Sequence, residues 1–73
     1  MKKYADKTGN SGVDSYAIFP DSIKVKFKYS DAVYDYSYSS AGKTHIEKMK
    51  ILAEKGAGLS TYISQNVSRD YEK

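Results

Sequence analysis

Polar and apolar side chains alternate in three successive stretches of the chain, and this alternation predicts three β-strands. In residues 22–29 lysines separate apolar positions, and residues 13–19 run into Pro20, which presets the first corner of a type I turn. Residues 33–40 place Tyr34, Tyr36 and Tyr38 at every second position. Because alternate side chains of a strand share one face, the three rings are expected to point the same way.

The loop length between the second and third predicted strands decides which face carries the tyrosines. A four-residue loop around Ser30 and Asp31 would pair Phe27 with Tyr34, and an even loop keeps the tyrosines on the apolar face. The same register pairs Val25 with Tyr36, Ile23 with Tyr38, Lys26 with Asp35 and Lys24 with Ser37. An odd loop would instead bury a carboxylate opposite the core. We favour the even register, in which the tyrosines belong to the core and its rim.

Two helices are predicted after the strands. Thr44 and Glu47 have capping-box spacing and predict a helix start, while Gly56 suits a left-handed C-terminal cap. A second apolar stripe with helical spacing extends from Leu59 to Tyr71. The predicted fold is α+β: a three-stranded antiparallel meander with two C-terminal helices packed on one face, in the order β-β-β-α-α. Residues 1–12 lack periodicity and are interpreted as a flexible N-terminal tail, and residues 13–73 as a single domain.

Composition narrows the function classes. The chain has 73 residues, no cysteine and a net charge of +3, of which residues 1–12 carry +2. We find no membrane-spanning run and expect a cytoplasmic protein. His45 is the only histidine and is interpreted as a solvated surface residue. No metal set, nucleophile context or phosphate-binding loop is recognisable, so we expect no cofactor and no enzymatic activity.

The chain resembles the KTSC domain family over residues 13–71. The resemblance rests on a V.F strand, the YxY pair Tyr34 and Tyr36, a helix followed by a Gly break, and the closing pattern Y....V.RDY that spans Tyr62 to Tyr71. Members occur alone in bacterial and phage proteins and at the C-terminus of some lysyl-tRNA synthetases. This attachment to a synthetase implies RNA as a ligand.

The candidate RNA contacts form two groups. Lys24, Lys26 and Lys28, which we call the lysine row, would contact phosphates at the spacing of an extended strand; the alternative, which we favour, is a solvated sheet face. Bases could stack on Tyr34, Tyr36 or Tyr38, although core packing is favoured, and a mixed case leaves Tyr38 exposed. The matched closing segment adds Arg69. The predicted function is a small binding module for single-stranded or structured RNA; the alternative is a protein-interaction domain, perhaps phage-related.

Overall fold

The computed structural model of the protein describes residues 1–7, 9 and 11–72 and has an α+β architecture. One antiparallel sheet has the strand order β1-β2-β3-β4, and the buried apolar side chains lie between one sheet face and the helices. The α+β class and the antiparallel order are confirmed, but the sheet has four strands instead of the predicted three. The elements are β1 (Lys2–Lys3), β2 (Val13–Phe19), β3 (Ser22–Phe27), β4 (Val33–Ser37), α1 (Tyr38–Ala41), α2 (Lys43–Lys55), α3 (Leu59–Tyr62) and a π-helical turn (Ile63–Val67).

The additional strand belongs to the segment that was predicted to be a flexible tail. Lys2 pairs with Tyr16 and Lys3 with Ser15, and the Tyr4 amide donates to the Asp14 carbonyl over 3.0 Å. The Tyr4 side chain is only 2% exposed, and its hydroxyl accepts a hydrogen bond from the Leu59 amide at 3.3 Å. Val13 is therefore not the beginning of the ordered fold, because Tyr4 is one of its core residues.

The register between β3 and β4 keeps the predicted parity but differs by two residues. Tyr34 pairs with Val25 and Tyr36 with Ile23, so the tyrosines share the apolar face as expected. The predicted partners, including Phe27 for Tyr34, are wrong. Lys26 pairs with Val33, so the connection covers residues 27–32 and is two residues longer than the four-residue loop. An even increase in loop length preserves the face of every side chain.

The third tyrosine leaves the strand, because β4 ends at Ser37 and Tyr38 begins α1. A capping box forms there: the Ser37 side chain accepts a hydrogen bond from the Ser40 amide, and the Ser40 hydroxyl accepts one from the Ser37 amide. The capping box predicted at Thr44 is wrong, since α2 begins at Lys43 after Gly42 and has no side-chain cap.

The two main helical segments meet at a glycine, as predicted. Gly56 has φ 77° and donates its amide to the Leu52 and Ala53 carbonyls, which confirms the left-handed cap of α2. Helix α3 continues into the π-helical turn, which ends at Val67. The observed helical segment is therefore shorter than the predicted apolar stripe, which extended to Tyr71. His45 is half-buried, and its Nδ1 lies 2.7 Å from the Tyr62 hydroxyl, which corrects its interpretation as a solvated residue.

The chain after the last helical turn covers the outer edge of β4. The Glu72 amide donates to the Asp35 carbonyl at 2.6 Å, and the Ser37 hydroxyl donates to the Glu72 carboxylate. The preceding residue, Tyr71, packs edge-on against Tyr34, with ring centroids 4.9 Å apart. The last residues are therefore part of the sheet's border and place an aromatic ring beside the tyrosine strand.

Candidate functional site

The lysine row lies on the sheet face opposite the helices, and each of its ammonium groups has an aspartate beside it. Lys24 Nζ is 3.4 Å from Asp35 Oδ2, and Lys28 Nζ is 2.7 Å from Asp6 Oδ2. The third lysine, Lys26, is 3.9 Å from Asp14. These pairs are partly exposed, where an ion pair contributes about 0–1 kcal/mol to stability.

The three lysine–aspartate pairs affect the electrostatic potential of this sheet face more than they affect the stability of the fold. Three positive and three negative charges alternate over the lysine row, so the row carries no net charge toward a phosphate chain. In addition, Asp35 Oδ1 is enclosed and has no hydrogen-bond partner among the described residues, which leaves negative charge close to Lys24. The hydrogen bond and charge of Lys28 hold the pKa of Asp6 below its usual range, so this aspartate stays ionised beside the row at neutral pH.

The three predicted stacking tyrosines have three different environments. Tyr36 is 2% exposed and belongs to the core, so its ring faces are not available to a base. Tyr38 donates to the Glu47 carboxylate at 2.8 Å, and this bond raises the pKa of the Tyr38 phenol. Lys50 Nζ lies 5.6 Å from the centre of the Tyr38 ring, so this ring belongs to the contact with α2. Tyr34 remains half-buried at the edge of a cavity.

That cavity joins residues from the sheet and from the last helical segment. It has a volume of about 410 Å³ and opens between the end of β3, the face of β4 and the last helical segment. We call it the aromatic pocket, because five of its nine lining residues are aromatic. Its lining residues are Phe27, Tyr29, Tyr34, Tyr36, Ser60, Ile63, Ser64, Ser68 and Tyr71.

The rings of the aromatic pocket support one another in mostly edge-on contacts. Tyr34 lies between Phe27 and Tyr71, with interplanar angles of 65° and 68°. Tyr29 stacks on Phe27 at 28° with centroids 5.6 Å apart, and 77% of its surface stays exposed. Edge-to-face pairs of this kind stabilise by about 0.5–1.5 kcal/mol beyond their burial. The walls are therefore held in place, while the outer face of Tyr29 is free to contact a ligand.

Tyr36 is the most buried of the aromatic residues that line the pocket. Its hydroxyl makes no hydrogen bond to another described residue. The phenols of Tyr34, Tyr29 and Tyr71, which also line the pocket, are the neighbours that act on this hydroxyl. Burial, followed by the neighbouring phenols of Tyr34, Tyr29 and Tyr71 and by Asp70, raises the pKa of Tyr36 to about 12. At neutral pH the group is an uncharged donor and acceptor.

Arg69 is the remaining predicted contact. It is exposed in the turn that follows the last helical segment and is the chain neighbour of Ser68, which lines the aromatic pocket. Lys28 is likewise the chain neighbour of Tyr29 and Phe27. Of the predicted residues, the structure thus brings Tyr34 and Tyr36 together in the pocket. The predicted residues outside its lining are Lys24, Lys26, Lys28, Tyr38 and Arg69.

Sequence reasoning missed the serine side of the pocket and three of its rings, those of Phe27, Tyr29 and Tyr71. Ser60, Ser64 and Ser68 recur at four-residue spacing within the second predicted helix, and this regularity is the signal by which the sequence could have identified them. Tyr71 was assigned to a helical stripe, although it lies beyond the last helical turn. Tyr29 was placed with the core, but it is exposed.

Two further findings concern membrane-spanning helices and similarity to known proteins. No helix among them is both long and apolar enough to cross a bilayer. Searches against protein-family models, curated proteins and solved structures give no match to this chain, so the KTSC resemblance stays a prediction.

Proposed function

We propose that the protein is a non-enzymatic binding module that receives an unpaired base of single-stranded RNA in the aromatic pocket. The observation that carries the proposal is a cavity walled by five aromatic rings, among them that of the buried Tyr36, whose hydroxyl forms no hydrogen bond to another described residue. Single-stranded RNA is bound in this manner elsewhere, by stacking of bases on aromatic side chains and hydrogen bonds to base edges.

The walls of the pocket suit a flat, uncharged group. The exposed ring of Tyr29 and the half-buried ring of Tyr34 offer surfaces on which a base can stack, which is worth about 1–3 kcal/mol per base. The Tyr36 hydroxyl can donate to a ring nitrogen or carbonyl of that base, or accept from an amino group. No charged side chain belongs to the lining in the described part of the chain.

A positive charge that would attract the RNA backbone follows a lining residue in the chain. Arg69 is exposed and comes directly after Ser68, and the protein as a whole carries +3. A net positive charge raises the rate and affinity of association with phosphates in a salt-dependent manner. The proposal therefore keeps Tyr34, Tyr36 and Arg69 as contacts and omits Lys24, Lys26 and Lys28, because each of these lysines is paired with an aspartate.

We propose binding instead of catalysis because the Tyr36 phenol stays protonated at neutral pH. A general base for neutral pH needs a pKa near 7, and the buried phenol of Tyr36 has a pKa of about 12. The phenols of the pocket can hold a ligand by hydrogen bonds, but Tyr36 cannot remove a proton from it near neutral pH.

A titration of the labelled protein with a mixed-sequence RNA oligonucleotide, followed by amide shifts at low and at physiological salt, tests the proposal. We expect saturable shifts at residues 27–36 and 60–71 that weaken as salt rises. Tyr29→Ala should lower the affinity about 5- to 150-fold, the loss of one stacked base. Phe19→Ala is the matched control, because Phe19 is an aromatic residue, 40% exposed, that does not line the pocket. Equal losses in both variants, or an unshifted pocket, would contradict the proposal.

A protein-interaction domain is the second candidate, and a different surface favours it. On the open sheet face, Phe19 is 40% and Val33 46% exposed beside ion pairs that leave the face without a strong field. Such a mixed apolar and neutral surface resembles the composition of protein interfaces. A complex formed there should respond little to salt, and Phe19→Ala should weaken it while Tyr29→Ala leaves it unchanged.

A further inference from the structure

The serine side of the aromatic pocket contributes a row of hydroxyl groups. Ser60, Ser64 and Ser68 all line the cavity and belong to α3, to the π-helical turn and to the turn that follows it. Among the described residues, the side-chain hydrogen bonds of this segment involve Leu59, Tyr62 and Asn66 and none of the three serines. Three side chains that can donate and accept hydrogen bonds therefore line the cavity on the helix side.

The unbonded Tyr36 hydroxyl provides an independent observation that points to a ligand at the same site. Tyr36 is 2% exposed, comes from β4 and lines the cavity from the sheet side. A ligand in the cavity would meet Tyr36 on one side and the serines on the other. The sheet and the last helical segment would thus contact opposite sides of the ligand.

The size and charge of the cavity define the part of a nucleotide that it can hold. Its volume of about 410 Å³ lies within the range of roughly 300–1,000 Å³ that is usual for pockets that enclose drug-sized molecules, so a base and its ribose have room. A phosphate would be left without a cation there, because the lining consists of aromatic residues, serines and Ile63. The uncharged nucleoside moiety is consequently the part that enters.

We infer that the serine side of the pocket, which Ser60, Ser64 and Ser68 form, hydrogen-bonds the ribose 2′-hydroxyl and thereby selects RNA over DNA. The 2′-hydroxyl is both donor and acceptor, and it is the group by which a protein distinguishes the two nucleic acids at a given site. Aromatic rings stack with a base of either kind, so stacking alone gives no such preference. This inference rests on the proposed function, since it assigns the sugar of the base that the pocket receives.

The test measures the affinity of three oligonucleotides of one base sequence that contains uracil: RNA, the deoxyribose form and the 2′-O-methyl form. The wild-type protein is compared with the triple variant Ser60→Ala, Ser64→Ala, Ser68→Ala and with Ser39→Ala, an exposed serine of α1 outside the pocket lining. We expect RNA to bind more tightly than the deoxyribose form, by about 2- to 12-fold for each hydroxyl engaged. The triple variant should lose that ratio and keep the affinity for the deoxyribose form, and Ser39→Ala should change neither.

The outcomes separate the two proposals. Equal binding of RNA and the deoxyribose form, or a ratio that survives in the triple variant, would overturn the assignment of the serines and leave the pocket as a base-binding site. Absence of binding for all three oligonucleotides to the folded wild-type protein would overturn the proposed function itself. The amide spectrum of the triple variant reports whether it is folded; if it is not, the single variant Ser64→Ala takes its place, because this side chain is exposed.

Discussion

Tyr4 attaches the N-terminal segment to the domain, and its replacement by alanine tests that attachment. The ring is 2% exposed and packs edge-on against Tyr16, with centroids 6.5 Å apart. Its hydroxyl accepts from the Leu59 amide, which belongs to the first turn of α3 and has no partner within the helix. Tyr4→Ala would remove the ring, open a cavity between β2 and α3 and leave this amide unpaired.

The expected loss is large compared with the total stability of the domain. Truncation of a buried aromatic residue to alanine costs about 3–5 kcal/mol, and a 73-residue domain has a free energy of unfolding of roughly 4–11 kcal/mol. Since each kcal/mol shifts the melting temperature of a small domain by about 4–8 °C, we expect a decrease of at least roughly 12 °C. Tyr4→Phe keeps the ring and loses one hydrogen bond, at about 1 kcal/mol.

Thermal unfolding followed by circular dichroism measures both changes. Tyr29→Ala is the matched control, because it also truncates a tyrosine but removes a side chain that is 77% exposed. Surface substitutions usually change stability by no more than about 0.5 kcal/mol. If Tyr4→Ala melts within about 2 °C of Tyr29→Ala, the N-terminal segment does not belong to the core, and the four-stranded sheet is refuted.

We make further predictions for the core, for the chain reversal after α2 and for the titration of one phenol. Tyr36→Ala should lower the free energy of unfolding by about 3–5 kcal/mol in chemical denaturation, whereas Lys26→Ala should lower it by less than about 1 kcal/mol; equal losses would place the tyrosine outside the core. Gly56→Ala should lower the melting temperature more than Gly42→Ala, because both glycines have positive φ but only at Gly56 would a Cβ meet Ala5, at 2.6 Å; the reverse order would contradict the close approach. Because folding raises the pKa of Tyr36 from 10.0 to about 12, the folded state holds more protons between these values, and stability should fall as pH rises through this window. Tyr36→Phe should show a shallower fall in alkaline denaturation, and an unchanged slope would contradict the shift.

The attached N-terminal segment also bears on the electrostatics of the sheet. Asp6 lies in that segment and pairs with Lys28, and the Ser11 amide donates to the same carboxylate at 3.0 Å. Part of the positive charge that was assigned to a free tail therefore sits beside the sheet, together with the aspartate that neutralises Lys28.

The local chemistry of the sequence determined the elements and their faces. Alternation in residues 22–29 predicts β3, Pro20 predicts the first hairpin turn, and Gly56 predicts the end of α2, because each feature acts through the backbone of its own neighbours. The face of the tyrosine strand also follows from sequence, since burying Asp35 among apolar side chains would cost more than any favourable turn geometry could recover.

Only the tertiary structure decided the register, the N-terminal strand and the aromatic pocket. Adding two loop residues between β3 and β4 leaves the alternation of faces unchanged, so the pattern could not distinguish the registers. Tyr4 stands alone in a polar segment, and its burial depends on Leu59, which is 55 residues away in the chain. The pocket likewise joins residues 27–36 with residues 60–71, and the lysine row acquired aspartates from separate segments. Contacts between distant residues leave no periodic signal in a single sequence, and these contacts position both the candidate site and the charges around it.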